Sequence, residues 1–429
     1  MIMRKMFIGL TIGGALSVLS CQAAPLKDGG DCSKAAGMPP GVMGTLASPV
    51  VMPDGLVTFH LCAPQASNVV VRGSFPNPYE PLTVTMTKDA SGRWSGAAGR
   101  LAPELYNYNF YIDGVAALDP LNAHTQRDGM RVGNTFIVPG AASGLYAVRD
   151  IPHGTVSQVW YPSTSLKLQR RTYVYTPPGY EQGGVRYPVL YLLHGGFGDE
   201  DAWSSNGRAS PILDNLIAEG RMLPMIVVMP NGNATQRAAP NTEEEYVLQG
   251  SFMSMDFADS IVTDLLPFVD RTFRTLPDRS HRAIAGLSMG GAHALWAAFH
   301  HLDQFAWVES MSGGYMIIPG GGVEASKPTD PSIPAIFRLP KEIDPVKLIA
   351  NLPDLTQDAN SKLRIFSMTI GEKDRLLPQQ RALQAALAAK GINVKATEVA
   401  GFSHEWGFWR LALADMLTGL FRPAGPSAR

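Results

Sequence analysis

The chain has 429 residues, 45% of them hydrophobic and 17% charged, with a formal net charge of -1 and a pI near 6.8. That balance describes a globular protein with a large core and excludes a disordered chain. It also gives no electrostatic basis for binding nucleic acid or an anionic membrane surface.

Taken in chain order, the first element is an export signal. Arg4 and Lys5 precede the apolar run MFIGLTIGGALSVLS, and CQAAP follows it. A basic start, a short apolar stretch and small residues predict a signal peptide over 1–24. The run falls short of the ~20 residues a membrane-spanning helix needs. Two processing routes fit. Cleavage after Ala23 or Ala24 gives a periplasmic or secreted protein. Lipidation of Cys21, in the lipobox-like VLSC where Leu19 is a poor match, gives a lipoprotein, and that lipid is the one membrane link expected. Residues 25–49 read as an irregular lead-in rich in Pro, Gly and Ala.

From 50 to 145 the texture is all-β. LVTFHLCA, NVVVRGSF, LTVTMTK, YNYNFYIDG and GNTFIVPG are short alternating runs between turn residues, the pattern of a small immunoglobulin-like sandwich. In LVTFHLC, Val57, Phe59 and Leu61 share one strand face and Cys62 takes the other, within reach of a tail residue such as Cys32. A Cys32–Cys62 disulfide is expected in an oxidising compartment, with two free thiols as the alternative.

Residues 155–424 alternate strands and helices. The strands are VSQVWYP, RRTYVYTPP, YPVLYLLHG, MIVVMPNG, HRAIAGLS, FAWVESMSG, LRIFSMTIG and NVKATEVAG. Between them lie helices in SPILDNLIAEG, FADSIVTDLLPFVDRTF, GGAHALWAAFHH, LPQQRALQAALAAKG and HEWGFWRLALADMLTGLF. Several strands are near-continuous apolar runs, as when helices cover both sheet faces, so the fold class is α/β with a doubly wound sheet. The 316–345 segment lacks periodicity and reads as a long loop, a candidate lid.

Gly286-Leu287-Ser288-Met289-Gly290 is a G-x-S-x-G pentapeptide. With 43 glycines in 429 residues, chance supplies one in roughly one such chain in four, so context must confirm it. Here an apolar strand ends at Ser288 and a helix begins directly after it, the context of a nucleophile elbow. A serine needs a base, and His404 in GFSHEWGFWR follows the last strand. The acid must fall between them at a strand end. IGEKD offers Asp374, with Glu372 as fallback and Asp303 as a poorer choice. The strand ending in His194-Gly195-Gly196 matches an oxyanion loop, with N–H donors from Gly196 and Met289 and with His194 structural. No H-E-x-x-H or paired C-x-x-C occurs, and GDEDAW lacks calcium-loop spacing and reads as a solvated turn. No metal and no cofactor are expected.

These motifs in this order resemble the esterase D-like group, carbohydrate esterase family 1 with its siderophore-esterase relatives. RTYVYTPPGY, YPVLYLLHGGFGDEDAW, RAIAGLSMGGAHAL, IGEKD and GFSHEWGFWR carry the resemblance, over about 155–421. YNYNFYIDGVAALDPLNA resembles the early-set sandwiches of glycan-active enzymes. The resemblance implies an α/β-hydrolase fold, a metal-free serine-esterase mechanism, the triad Ser288, Asp374 and His404, and the oxyanion hole of Gly196 and Met289. It implies hydroxycinnamoyl or acetyl esters of plant cell-wall glycan as substrate, or a small aromatic ester. Trp203, Trp406 and Trp409 are the candidate walls for an aromatic acyl group, with anchoring of the last helix as the alternative for Trp406 and Trp409, whose i, i+3 spacing suits a buried stripe. Tyr79 and Trp94 are candidate sugar-stacking residues on the sandwich, with a core role as the alternative. Competing readings are a siderophore esterase, an acyltransferase on the same fold, and a non-catalytic glycan-binding module. A site for an anionic siderophore would gather cations, and only Arg208, Arg237 and Arg375 lie near the motifs.

Overall fold

The computed structural model describes residues 32, 46–76, 81–129, 131–235, 254–313 and 355–422. The predicted signal peptide, Cys21, Tyr79, Arg237 and the 316–345 segment lie outside the described residues.

Among the described residues, ten short strands form the N-terminal part: β1 Val50–Val51, β2 Leu56–Cys62, β3 Val69–Gly73, β4 Thr83–Thr85, β5 Thr87–Lys88, β6 Arg93–Arg100, β7 Leu105–Ile112, β8 Val115–Ala117, β9 Thr125–Asp128 and β10 Arg131–Ile137. They make two antiparallel sheets, ordered β1-β2-β6-β5 and β4-β3-β7-β10-β9, with β8 paired to β7. Inward residues interdigitate around Phe59, whose ring lies 4.9 Å from that of Tyr108 and 5.9 Å from that of Phe136. Alternation along β2 buries Val57, Phe59 and Leu61 and turns Cys62 outward. There Cys62 is bonded to Cys32, with the Cα atoms 5.5 Å apart. Trp94 is core and not a sugar platform: its indole N–H donates to the Ala63 carbonyl at 3.0 Å.

The second part is an eight-stranded sheet of β11 Thr155–Ser163, β12 Leu168–Thr176, β13 Val189–Leu193, β14 Ile226–Pro230, β15 Arg282–Leu287, β16 Trp307–Met311, β17 Ile365–Gly371 and β18 Lys395–Val399. Their order is β11-β12-β14-β13-β15-β16-β17-β18. The pairs β11/β12 and β12/β14 are antiparallel and the rest parallel. Strands β13 to β16 are buried at every position, because the two-residue period sends alternate side chains into two separate cores. Tyr191, Val228 and Ile284 enter one core, under helices α3 Asp256–Ser260, α4 Leu266–Thr272, α5 Met289–His300 and α7 Leu377–Ala389. Leu190, Val227 and Ala285 enter the other, under α2 Ala209–Ala218 and α8 Trp406–Gly419. Among the described residues there are also two single-turn helices, α1 Ala202–Ser205 and α6 Ala359–Lys362.

The helix expected over 257–273 is not continuous. A π-helical turn at Ile261–Leu265 separates α3 from α4. Pro267, in the first turn of α4, has no N–H to return to the preceding turn, so the ladder widens there. Asp264 in that turn accepts hydrogen bonds from Ser163 and Ser165 at 2.6 and 2.5 Å, which holds the widened turn against the end of β11.

Glu309 is a buried carboxyl inside β16, and the Thr369 hydroxyl donates to it at 2.5 Å. Burial, with Asp415 adding to it, pushes this carboxyl up to about 7, against the opposing pull of Thr369 and Lys395. A folded value above the unfolded one means the contribution is complete below the unfolded pKa and lost as pH rises through about 7. Glu309→Gln should therefore stabilise the protein at pH 8 by roughly 3 kcal/mol and do little near pH 5. Thermal melts at the two pH values read this directly. Equal shifts at both would contradict it.

Candidate active site

Ser288 stands between β15 and α5 with φ 51° and ψ -118°, a left-handed conformation that side chains other than glycine rarely adopt. Its neighbours make the turn possible. A Cβ on Gly286 would lie 2.4 Å from the Gly290 backbone, and one on Gly290 would lie 2.4 Å from the His194 carbonyl oxygen. Only hydrogen fits at either place. The turn is pinned by the Ser288 N–H donating to the Met311 carbonyl at 2.8 Å, and it leaves the hydroxyl partly exposed above the sheet.

The other two parts come from separate loops at the same sheet edge. His404, between β18 and α8, has Nε2 3.0 Å from Ser288 Oγ and Nδ1 2.8 Å from Asp374 Oδ2. Asp374, after β17, is fully buried at its side chain, and its Oδ1 accepts the Leu376 N–H at 2.8 Å. Burial acts to raise this carboxyl. The His404 hydrogen bond and charge, the Leu376 N–H and the Ser312 hydroxyl outweigh it and hold the group below the ordinary aspartate value. The two loops are stapled by Lys373 N–H to the Phe402 carbonyl at 2.8 Å and Glu372 N–H to Val399 at 2.9 Å. Gly371 must lack a side chain because Phe402 oxygen sits 2.4 Å from where its Cβ would be. Of the alternative acids, Glu372 is exposed and accepts the Gly401 N–H at 3.2 Å, while Asp303 is exposed beyond α5.

The expected oxyanion donors lie beside the serine. Met289 N–H opens α5, where no preceding helical carbonyl can accept it and the helix dipole adds positive field. Gly196 follows Gly195, whose Cβ would come 3.3 Å from that of Ser288. His194 holds this loop: Nδ1 lies 2.7 Å from the Gly195 carbonyl, and Nε2 accepts the Gly232 N–H at 2.7 Å. Those partners assign the proton to Nδ1. Burial pushes the imidazole down to about 4, so it is neutral at neutral pH.

Two expectations about this region need correction, and one residue was missed. Trp203 is 1% exposed and donates its indole N–H to the Leu193 carbonyl at 2.9 Å, so it braces the end of β13 and walls no cleft. Trp409 is likewise buried, its ring edge-on to His404 with centroids 4.9 Å apart. Trp406 is half-buried and packs edge-on to both, at 5.3 Å each, as i, i+3 spacing on a buried helix stripe allows. Second, Asp199 and Glu200 of GDEDAW are not solvated: both are buried and ion-paired, to Arg127 and to Arg171 and Arg127 respectively. The missed residue is Ser312, buried at the end of β16 with φ 55°. Its Oγ accepts the Trp409 indole N–H at 3.2 Å and its hydroxyl partners Asp374. Its one visible signal was a serine at the carboxyl end of the strand beside the elbow.

Of the candidate cations, Arg208 reaches the Tyr146 carbonyl at 3.5 Å and Arg375 is exposed. Among the described residues, no group of three or more His, Cys, Asp or Glu side chains is placed to hold a metal.

A serine at a strained strand–helix turn, a histidine against it and a buried aspartate behind it define the α/β-hydrolase class. The chain belongs to the esterase family, whose model matches residues 163–420. It is 29% identical over 388 residues to an endo-1,4-beta-xylanase/feruloyl esterase of Xylanibacter ruminicola, covering 87% of this chain and 46% of that protein. It is 26% identical over 215 residues to an iron(III) enterobactin esterase of Escherichia coli, covering 48% of each. The chain thus spans about half the length of these curated relatives. The fold is also that of the enterochelin esterase of Shigella flexneri, with TM-score 0.60 and 20% identity over 93% of this chain and 99% of that one. A ferulic acid esterase from Anaeromyces mucronatus aligns with TM-score 0.52 and 19% identity over 65% of this chain and 95% of that one.

Proposed function

We propose that the chain is an exported serine hydrolase of carboxylic esters, with Ser288 as nucleophile, His404 as base and acid, and Asp374 as the residue that orients the imidazole. The observation that carries this is the continuous hydrogen-bonded line from Asp374 through His404 to Ser288. His404 Nε2 takes the Ser288 proton as Oγ attacks the ester carbonyl. The N–H groups of Gly196 and Met289 receive the developing oxyanion. The tetrahedral intermediate collapses, and the alcohol leaves with the proton from Nε2. Water, deprotonated by the same nitrogen, then attacks the acyl-enzyme and frees the acid and Ser288. An acyltransferase would run the same first half and pass the acyl group to an added alcohol in place of water.

The substrate class is hydroxycinnamoyl or acetyl esters on plant cell-wall glycan. Support comes from the xylanase/feruloyl esterase relative, whose match extends through the sandwich as well as the catalytic sheet. The basic and apolar start of the chain supports export, as a soluble or a Cys21-lipidated protein. The enterobactin esterase match favours a second reading, a siderophore esterase. Parallel kinetics on methyl ferulate, acetylated xylan and ferric enterobactin separate the two. The expected result is the highest kcat/KM on one of the first two. Efficient turnover of the siderophore alone would overturn the glycan assignment.

A further inference from the structure

The buried acids after the oxyanion loop are odd for a catalytic domain on its own. Asp199 and Glu200 directly follow His194–Gly198, and their side chains are 0% and 1% exposed. Two adjacent buried carboxylates repel and are costly unless cations neutralise them. Burial first, and then the charge of Glu200, push the Asp199 carboxyl up to about 7, and Arg127 pulls against both. Glu200 is satisfied from within the catalytic sheet, by Arg171 Nε at 2.5 Å and by the Asn231 amide at 2.9 Å. Asp199 is not. Its Oδ1 accepts the Asp201 N–H at 2.9 Å, and its Oδ2 accepts Arg127 Nη1.

Arg127 belongs to the sandwich. It sits on β9, paired in register with Val132 of β10, so a two-stranded ribbon delivers it. Its Nη2 lies 3.7 Å from Glu200 Oε1, and its own carbonyl accepts the Ser205 hydroxyl of α1 at 2.8 Å. The guanidinium therefore meets both acids, and the main chain beside it is fastened to the helix that follows them.

Several other ties on the oxyanion loop come from the catalytic part. His194 bridges Gly195 and Gly232, the Asn233 amide donates to the Gly198 carbonyl at 3.1 Å, and Trp203 holds Leu193. They fix the loop's start and middle. Arg127 anchors its end, three residues beyond the Gly196 N–H.

We propose that Arg127 is a positioning residue for ester hydrolysis: the sandwich reaches over and, through Asp199, sets where the Gly196 N–H points. This rests on the esterase reading above. Removing an oxyanion donor outright costs roughly 10²–10³-fold in kcat, and misplacing one by a fraction of an ångström costs part of that.

The test uses the full chain with p-nitrophenyl acetate and methyl ferulate. Arg127→Gln should lower kcat and kcat/KM together by about 10–100-fold, the signature of a contact that matters in the transition state. Arg127→Lys, which keeps the cation, should recover most of the loss. Asp199→Asn keeps the side chain's shape, removes the charge that Arg127 grips, and should reproduce the defect. It also serves if Arg127→Gln does not fold. A kcat within about twofold of wild type in a folded Arg127→Gln or Asp199→Asn, or a change confined to KM, would overturn the proposal. Failure of the esterase reading looks different: wild type would then be no faster than Ser288→Ala.

Discussion

Ser288→Ala should reduce kcat on p-nitrophenyl acetate by roughly 10⁴–10⁶-fold, to the residual rate that an oxyanion site alone provides. The size of the effect follows from removing the nucleophile on which the proposed acyl-enzyme route depends. The fold should be spared. Both hydrogen bonds that hold the elbow use the backbone of residue 288: its N–H to the Met311 carbonyl at 2.8 Å, and its carbonyl from the Ala292 N–H at 3.1 Å. Alanine keeps both and takes the same left-handed conformation with a smaller side chain. A melting temperature near that of wild type is therefore expected, and any loss of turnover belongs to the hydroxyl. The measurement also separates an enzyme from a glycan-binding module on the same fold. Wild type and variant at the same slow rate would mean that the triad is geometry without chemistry.

The elements of the catalytic sheet were legible because strands buried on both faces read as near-continuous apolar runs bounded by turn residues. Strand β13, VLYLL, reads the same in sequence and in space, since no water-facing residue interrupts it. Ser288 and His404 were legible for a related reason, as each sits where a strand pattern stops. Side-chain direction was not. Trp203, Trp406 and Trp409 looked like cleft walls because they flank the motifs, but the indole N–H of Trp203 needs a carbonyl and finds it at the end of β13. The acids at 199 and 200 looked solvated because charge is usually solvated. Their partner, Arg127, lies 72 residues away from Asp199 in another part of the chain, and no local pattern announces such a pairing. Ser312 was missed likewise, its role set by Asp374 and by Trp409, 97 residues on.

Asp374→Asn should cost about 10⁴-fold in kcat while leaving the enzyme folded and able to bind ester. The carboxylate Oδ2 accepts a hydrogen bond from His404 Nδ1–H, which keeps the proton on Nδ1 and leaves Nε2 with its lone pair turned toward Ser288 Oγ. An asparagine amide can instead donate from its nitrogen to Nδ1. The imidazole then carries its proton on Nε2, facing the hydroxyl that it must deprotonate. Geometry survives and the base is lost. The Leu376 N–H and the Ser312 hydroxyl, which with His404 hold the aspartate ionised, can still bond to a neutral amide oxygen, more weakly, so the loop should keep its shape. Sign matters for the pH dependence. A carboxyl held below its unfolded value contributes stability above that value and loses it as pH falls through the folded one. The wild-type carboxylate is thus fully charged at neutral pH. The deficit in Asp374→Asn should be the same size between about pH 6 and 8, with no region in which the variant catches up. Steady-state kinetics across that range, with a melting curve at each end, test both halves. A variant within tenfold of wild type at any of those pH values would show that Asp374 does not set the imidazole tautomer.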